Sequence, residues 1–161
     1  MEETQPELNE EGLKAFIDGK ATLGEIYGVD KESQYKVAEL GYNLMTQGKL
    51  SDAKAIFEGL VALDPKDTYF LTACGAAAQR EENLEDANKW YDLALEVDSN
   101  SAVALANRGE IKLIQGNIDE AISDLSAAIQ ADSTGAQPST QRAAGLLQEL
   151  QKEVSAALNK Q

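Results

Sequence analysis

The side chains in this sequence best able to do chemistry are a lone cysteine, Cys74, and two acidic pairs, Glu81-Glu82 and Glu85-Asp86. A thiol needs a base to become a nucleophile, and the sequence contains no histidine. That removes the commonest general base, every Ser-His-Asp or Cys-His arrangement, and the commonest metal ligand. Paired carboxylates can exchange protons or hold a hard cation. These pairs, however, fall in a turn between helical segments and lack the glycine-containing spacing of a calcium loop, so solvation is their expected role. The glycines are isolated and form no phosphate-binding loop. Cys74 occupies a helix-packing position, and one cysteine makes neither an intramolecular disulfide nor a thiolate metal cluster. The expectation is a protein with no catalytic residues, no metal and no cofactor, and not an enzyme.

The elements around these residues are helical. The chain has 161 residues, 43% of them apolar, with only 3 prolines and 12 glycines. That suits one body of long helices. The formal charge of −14 repels phosphate backbones and anionic headgroups, so neither nucleic acid nor a membrane surface is an expected partner. Residues Met1 to Glu11 are acidic and lack the basic and apolar regions of a secretory signal, and no stretch is apolar enough to span a bilayer. A cytoplasmic location is expected.

Self-similarity sets the architecture. The segment Val37-Ala38-Glu39-Leu40-Gly41-Tyr42-Asn43-Leu44 recurs 34 residues on as Leu71 to Ala78, and after a further 34 as Leu105 to Lys112. Ala53, Ala87 and Ala121 keep the same register, with Phe57, Tyr91 and Leu125 four places after them. A 34-residue helix-turn-helix period is that of the tetratricopeptide repeat. The expected fold is therefore all-α. It comprises an N-terminal helical segment over 1–33, three repeats over 34–133 (34–67, 68–101 and 102–133), and a C-terminal capping helix over 134–161.

Gly41, Gly75 and Gly109 are expected to face Ala53, Ala87 and Ala121, letting paired helices approach closely. Gly48 should end a helix, and Ser51, Asn83 and Asn117 should cap the helices that follow, Asn117 in a capping box with Glu120. Asp64-Pro65 should close the first repeat. Residues 8–27 read as two short amphipathic helices broken at Asp18-Gly19. Ala143, Leu146, Leu147, Leu150, Val154, Ala157 and Leu158 form the apolar face of the last helix.

In stacked helical pairs the first helix of each unit lines the concave side. Helical spacing puts Tyr35, Ala38, Tyr42 and Met45 there from the first unit, Tyr69, Thr72, Ala76 and Gln79 from the second, and Val103, Ala106, Glu110 and Leu113 from the third. This groove is expected to be mostly apolar and uncharged. Its phenols could bond the backbone of an extended peptide laid along it. The same tyrosines could instead pack against the N-terminal helices or simply finish the core. Because the set holds no lysine or arginine, a clamp for a terminal carboxylate is disfavoured.

Over residues 20–132 the sequence resembles the class II type III secretion chaperones, cytoplasmic bacterial proteins that hold translocator subunits before export. The residues that carry the likeness are Ala21-Thr22-Leu23-Gly24-Glu25-Ile26-Tyr27-Gly28-Val29, Leu40-Gly41-Tyr42-Asn43, Gly48-Lys49-Leu50, Ala53, Ala55-Ile56-Phe57, Leu60-Val61-Ala62-Leu63-Asp64 and Asp67-Thr68-Tyr69-Phe70. The third repeat departs from that family's pattern, reading Ala104-Leu105-Ala106-Asn107-Arg108-Gly109-Glu110. The resemblance implies a hydrophobic secreted translocator as protein client, held as an extended segment in the groove. It also implies a homodimer formed through the N-terminal helices, with Leu13, Phe16 and Ile17 as contacts. The alternative is a general repeat scaffold for protein assembly.

Overall fold

The computed structural model describes residues 10–158, which form nine α-helices and, among the described residues, no strand. Two short helices come first, α1 (Glu10–Ile17) and α2 (Leu23–Ile26). Three antiparallel pairs follow: α3 (Lys31–Thr46) with α4 (Leu50–Leu63), α5 (Thr68–Arg80) with α6 (Leu84–Val97), and α7 (Ala102–Ile114) with α8 (Ile118–Ala131). A longer helix, α9 (Pro138–Leu158), ends the chain's described part. The fold class is the expected one, three tetratricopeptide repeats between an N-terminal helical segment and a closing helix.

The core is three clusters that each straddle a repeat boundary. Phe57 and Leu60 of α4 pack with Met45 of α3 and with Phe70 and Cys74 of α5. Tyr91 and Ala94 of α6 pack with Leu71 of α5 and Ile111 of α7. Leu125 and Ala128 of α8 pack with Leu105 of α7 and Ala143 of α9. Each pair thus buries its apolar face against the first helix of the next, and α9 takes that place for the last pair. Leu146 and Leu147 extend this contact. The side chains of Val154, Ala157 and Leu158, and the N-terminal segment before residue 10, lie outside the described residues.

The repeated glycines have a more specific task than expected. A Cβ on Gly41, Gly75 or Gly109 would lie 2.7 Å from Phe57, 2.5 Å from Tyr91 and 2.8 Å from Leu125. Each glycine therefore makes room for the bulky residue four places beyond the fully buried Ala53, Ala87 or Ala121, rather than for the alanine itself. The close helix packing comes from a ring or branched side chain laid over bare backbone.

The caps differ in part from those expected. Asn83 caps α6 by accepting from the Asp86 amide. Ser51, however, lies inside α4, whose N-cap is Lys49. Asn117 stands at the N-cap of α8 without a side-chain bond, and the Glu120 side chain lies 3.2 Å from Lys112 Nζ instead of closing a capping box. The capping box forms at Thr22 and Glu25. The turns inside the three pairs place Gly48, Glu82 and Gly116, 34 residues apart, at φ of 78°, 61° and 80°. The middle unit thus puts a glutamate where the others have glycine.

Candidate peptide-binding groove

The geometry begins at the turn between α4 and α5. Asp67 is the N-cap of α5, accepting from the amides of Tyr69 and Phe70. Its second carboxylate oxygen accepts from Lys31 Nζ at 2.7 Å and from the Tyr35 hydroxyl at 3.0 Å, and Lys31 also donates to Asp64. One carboxylate therefore fixes the start of α5 and the first turns of α3 together. Partial burial lowers the Lys31 pKa, but the bonds to Asp64 and Asp67 outweigh it and the net shift is upward, so the lysine stays charged.

This brace holds an aromatic shelf. The Tyr35 and Tyr69 rings meet edge-on at 5.5 Å, Tyr42 and Tyr69 lie 5.9 Å apart, and Tyr42 stands against Phe57 at 5.0 Å. Tyr35 and Tyr69 are each 42% exposed, while Tyr42 is half-buried between them and the core. Burial, then the neighbouring Tyr69 phenol, pushes the Tyr42 pKa up, so its hydroxyl remains a neutral donor. The Tyr35 hydroxyl has already spent its one proton on Asp67 and can offer an incoming peptide only a lone pair.

One turn beyond Tyr42, Met45 enters a cavity of about 300 Å³ between the inner helices. Ala76, Gln79 and Arg80 of α5, Tyr91 of α6, Asn107 and Glu110 of α7 and Arg142 of α9 complete its lining. The Tyr91 hydroxyl donates to Gln79 Oε1 at 3.0 Å. Arg142 donates to Asn107 Oδ1 at 3.0 Å, with Glu110 Oε2 at 3.7 Å from its Nε.

Of the twelve residues expected along the groove, the structure gathers Met45, Ala76, Gln79 and Glu110 into this cavity, and Tyr35, Tyr42 and Tyr69 onto the shelf. Ala38, Thr72 and Ala106 are buried, at 0%, 7% and 3% exposure, and belong to the packing between helices. Val103 and Leu113 are half-buried, Leu113 against the third core cluster.

The expectation of an uncharged groove needs correction, because Arg80 and Arg142 both line the cavity. Arg80 ends α5 four residues after Ala76, so helical spacing does put it on the inner face, and the four positions read from that unit stopped short of it. Arg142 comes from the closing helix, which no repeat pattern covers. Tyr91 and Asn107 were also missed; Tyr91 reads from sequence as a core position, and although fully buried it also lines the cavity.

The candidate chemical residues are otherwise occupied. Cys74 is fully buried, and desolvation pushes its thiol up to about 12. Asp86 lies 2.6 Å and Glu81 4.0 Å from Lys54 Nζ, and Glu85 lies 2.8 Å from Lys89. Glu81 and Asp86 thus pair with a lysine of α4 and Glu85 with one on its own helix, and Glu85 and Asp86 stand in the first turn of α6 rather than in the expected turn. Among the described residues no group of three or more such side chains could hold a metal ion, and no helix is long and apolar enough to cross a membrane.

The family described as "Tetratricopeptide repeat" matches residues 102–134. No curated protein sequence matches the chain. Among solved structures, the translocator chaperone SycD of Yersinia enterocolitica is 22% identical with a TM-score of 0.71, the match covering 80% of this chain and 98% of that one. PcrH of Pseudomonas aeruginosa is 27% identical with a TM-score of 0.67, covering 76% of this chain and 95% of that one. The likeness is to class II type III secretion chaperones. Repeat proteins of another kind share the fold. The first tetratricopeptide domain of Spaghetti (RPAP3), solved with an HSP90 peptide, is 19% identical with a TM-score of 0.66, covering 79% of this chain and 97% of that one. The similar proteins are thus chaperones and scaffolds that bind other polypeptides.

Proposed function

We propose that this protein is a cytoplasmic chaperone that holds an extended, largely apolar segment of a secreted translocator protein along its concave side. The observation that carries this reading is the exposed shelf of Tyr35, Tyr42 and Tyr69 leading through Met45 into a cavity, all on rigid helices braced by Lys31 and Asp67. Rigid aromatic side chains lose little entropy on contact and supply large apolar area with a polar tip. Two similar proteins support the choice of client: PcrH has been solved with the chaperone binding regions of PopB and of PopD, and SycD with a peptide of the translocator YopD.

Within the same reading, residues 1–33 form a dimerisation segment, 34–133 the repeat body and 134–161 its cap. Leu13, Phe16 and Ile17 are 42%, 38% and 73% exposed on α1, an apolar stripe suited to a second copy. A second reading, a general assembly scaffold, is favoured by the two arginines in the cavity, which suit a charged partner. Affinity capture from cells of the source organism, followed by mass spectrometry, separates the two. An apolar secreted protein with membrane-inserting segments is expected. A set of folded proteins without such segments would move the assignment to the scaffold.

A further inference from the structure

The repeat register makes the closing helix part of a fourth, incomplete unit. Ala143 stands one period after Gly109 and is buried in α9 against Leu105, Leu125 and Ala128. α9 therefore takes the place of a first helix, as α5 and α7 do against the pairs before them. Among the described residues no second helix follows it. The seat of that second helix can be read from the earlier units. Lys54 of α4 reaches Asp86 of α6 at 2.6 Å, so its position is one where a second helix meets the next. Two periods further on, the same position is Ile122 of α8. Ile122 is 39% exposed, and Ile118, one turn before it, 42%. With Ser126 they border a groove of about 510 Å³, faced from α9 by Leu147 and Leu150. Among the described residues no charged side chain lines it. An ion-paired contact in the first unit has become an uncovered apolar groove in the last.

The same chain carries a helix that fits it. Two turns of α8, Ile118 to Ser126, border the groove over about 12 Å, and the eight residues of α1 are about as long. Leu13, Phe16 and Ile17 give α1 an exposed stripe at the spacing by which an amphipathic helix fills a groove. Within one chain the two do not meet. Phe16 borders Pro65 and Lys66 at the turn between α4 and α5, at the first pair, whereas α9 closes the last.

We infer that the groove between α8 and α9 is the seat of α1 from a second copy of this chain, which thereby supplies the missing second helix of the fourth unit. A ridge entering a groove is a head-to-tail contact, and two copies set antiparallel make it twice and close as a dimer. None of the shelf tyrosines takes part, so each copy keeps its concave side free for a client. The inference rests on the reading of α1 as the dimerisation segment and adds what α1 docks on.

Engineered thiols in the full-length protein give the test, since native Cys74 is fully buried and does not compete. Leu13→Cys and Ile122→Cys are made separately, both at exposed positions. Ala144→Cys is the control, exposed on α9 but outside the groove lining. The variants are oxidised with copper phenanthroline, alone and in equimolar pairs with one member isotopically labelled, and the linked species are weighed by mass spectrometry. The expected main product is the Leu13→Cys/Ile122→Cys heterodimer, about tenfold or more above either homodimer and above the pair of Leu13→Cys with the control, because a seated helix holds the two thiols at high effective concentration. A Leu13→Cys homodimer as the main product would mean that α1 meets α1; that overturns the seat and leaves α1 as the dimerisation segment. An Ile122→Cys homodimer as the main product overturns the seat as well. So do yields no higher than the control, and an unaltered protein that also sediments as a monomer would take the α1 reading with it.

Discussion

At the scale of single residues, backbone conformation and contact distance explain more than side-chain chemistry does. Glu82 holds a left-handed φ of 61° at the position where the flanking units have Gly48 and Gly116. A side chain there costs about 1 kcal/mol relative to glycine. Glu82→Gly is therefore expected to raise stability by about 1 kcal/mol in urea unfolding; no change would mean that Glu82 is not strained. Gly75 is the opposite case. Its missing Cβ is occupied by the fully buried Tyr91 ring, so Gly75→Ala should cost about 1–3 kcal/mol. Gly59, also helical but with nothing within 4 Å of its would-be Cβ, should gain up to about 1 kcal/mol on the same change. Equal effects at the two sites would contradict the packing account. The 34-residue period made these glycines visible in the sequence. It could not say that a ring rather than an alanine fills the space, because periodicity reports which positions are small and not what lies over them.

At the scale of elements, the repeats are joined by ion pairs as well as by apolar clusters. Arg108 of α7 reaches Asp92 of α6 and Asp124 of α8, and Lys112 lies 3.0 Å from Asp124. Burial raises the Asp124 pKa, but Arg108 and Lys112 outweigh it and the net shift is downward. Stability from this group is therefore fully present above the ordinary aspartate range and is lost as pH falls through the lowered native value. Asp124→Asn should cost about 1–3 kcal/mol at neutral pH, less than a wholly buried pair because Arg108 keeps part of its side chain in water. Its deficit relative to the unaltered protein should shrink on acidification. A deficit constant down to strongly acid pH would contradict this. Helix existence and order were legible from the repeat period, and so was the closing helix from its 3-and-4 spacing. The caps at Lys49 and Asn117 were not, since capping depends on which neighbour wins a side chain, and Glu120 goes to Lys112. Arg142 was hidden for a related reason, since it meets α7 only through tertiary packing, across 35 residues of sequence.

At the scale of the whole molecule, the proposed function rests on the exposed stripe on α1 and the groove across α3, α5 and α7. The groove was half visible in the sequence. Tyrosines at inner-face spacing marked the shelf, but spacing alone also admitted Ala38, Thr72 and Ala106, which the stacking of one pair on the next encloses. If α1 mediates self-association, Leu13→Asp with Phe16→Asp should convert a dimer to a monomer in sedimentation equilibrium without loss of helicity; an unchanged mass would remove α1 from that role. The central claim is that the shelf binds the client. The measurement that tests it most directly is calorimetric titration of the captured client's binding segment into the unaltered protein and into Tyr42→Ala/Tyr69→Ala, with circular dichroism to check the fold. Loss of two aromatic anchors predicts an affinity weaker by roughly 30-fold or more, about 2 kcal/mol or above. An affinity unchanged in a fully helical double variant would contradict the account.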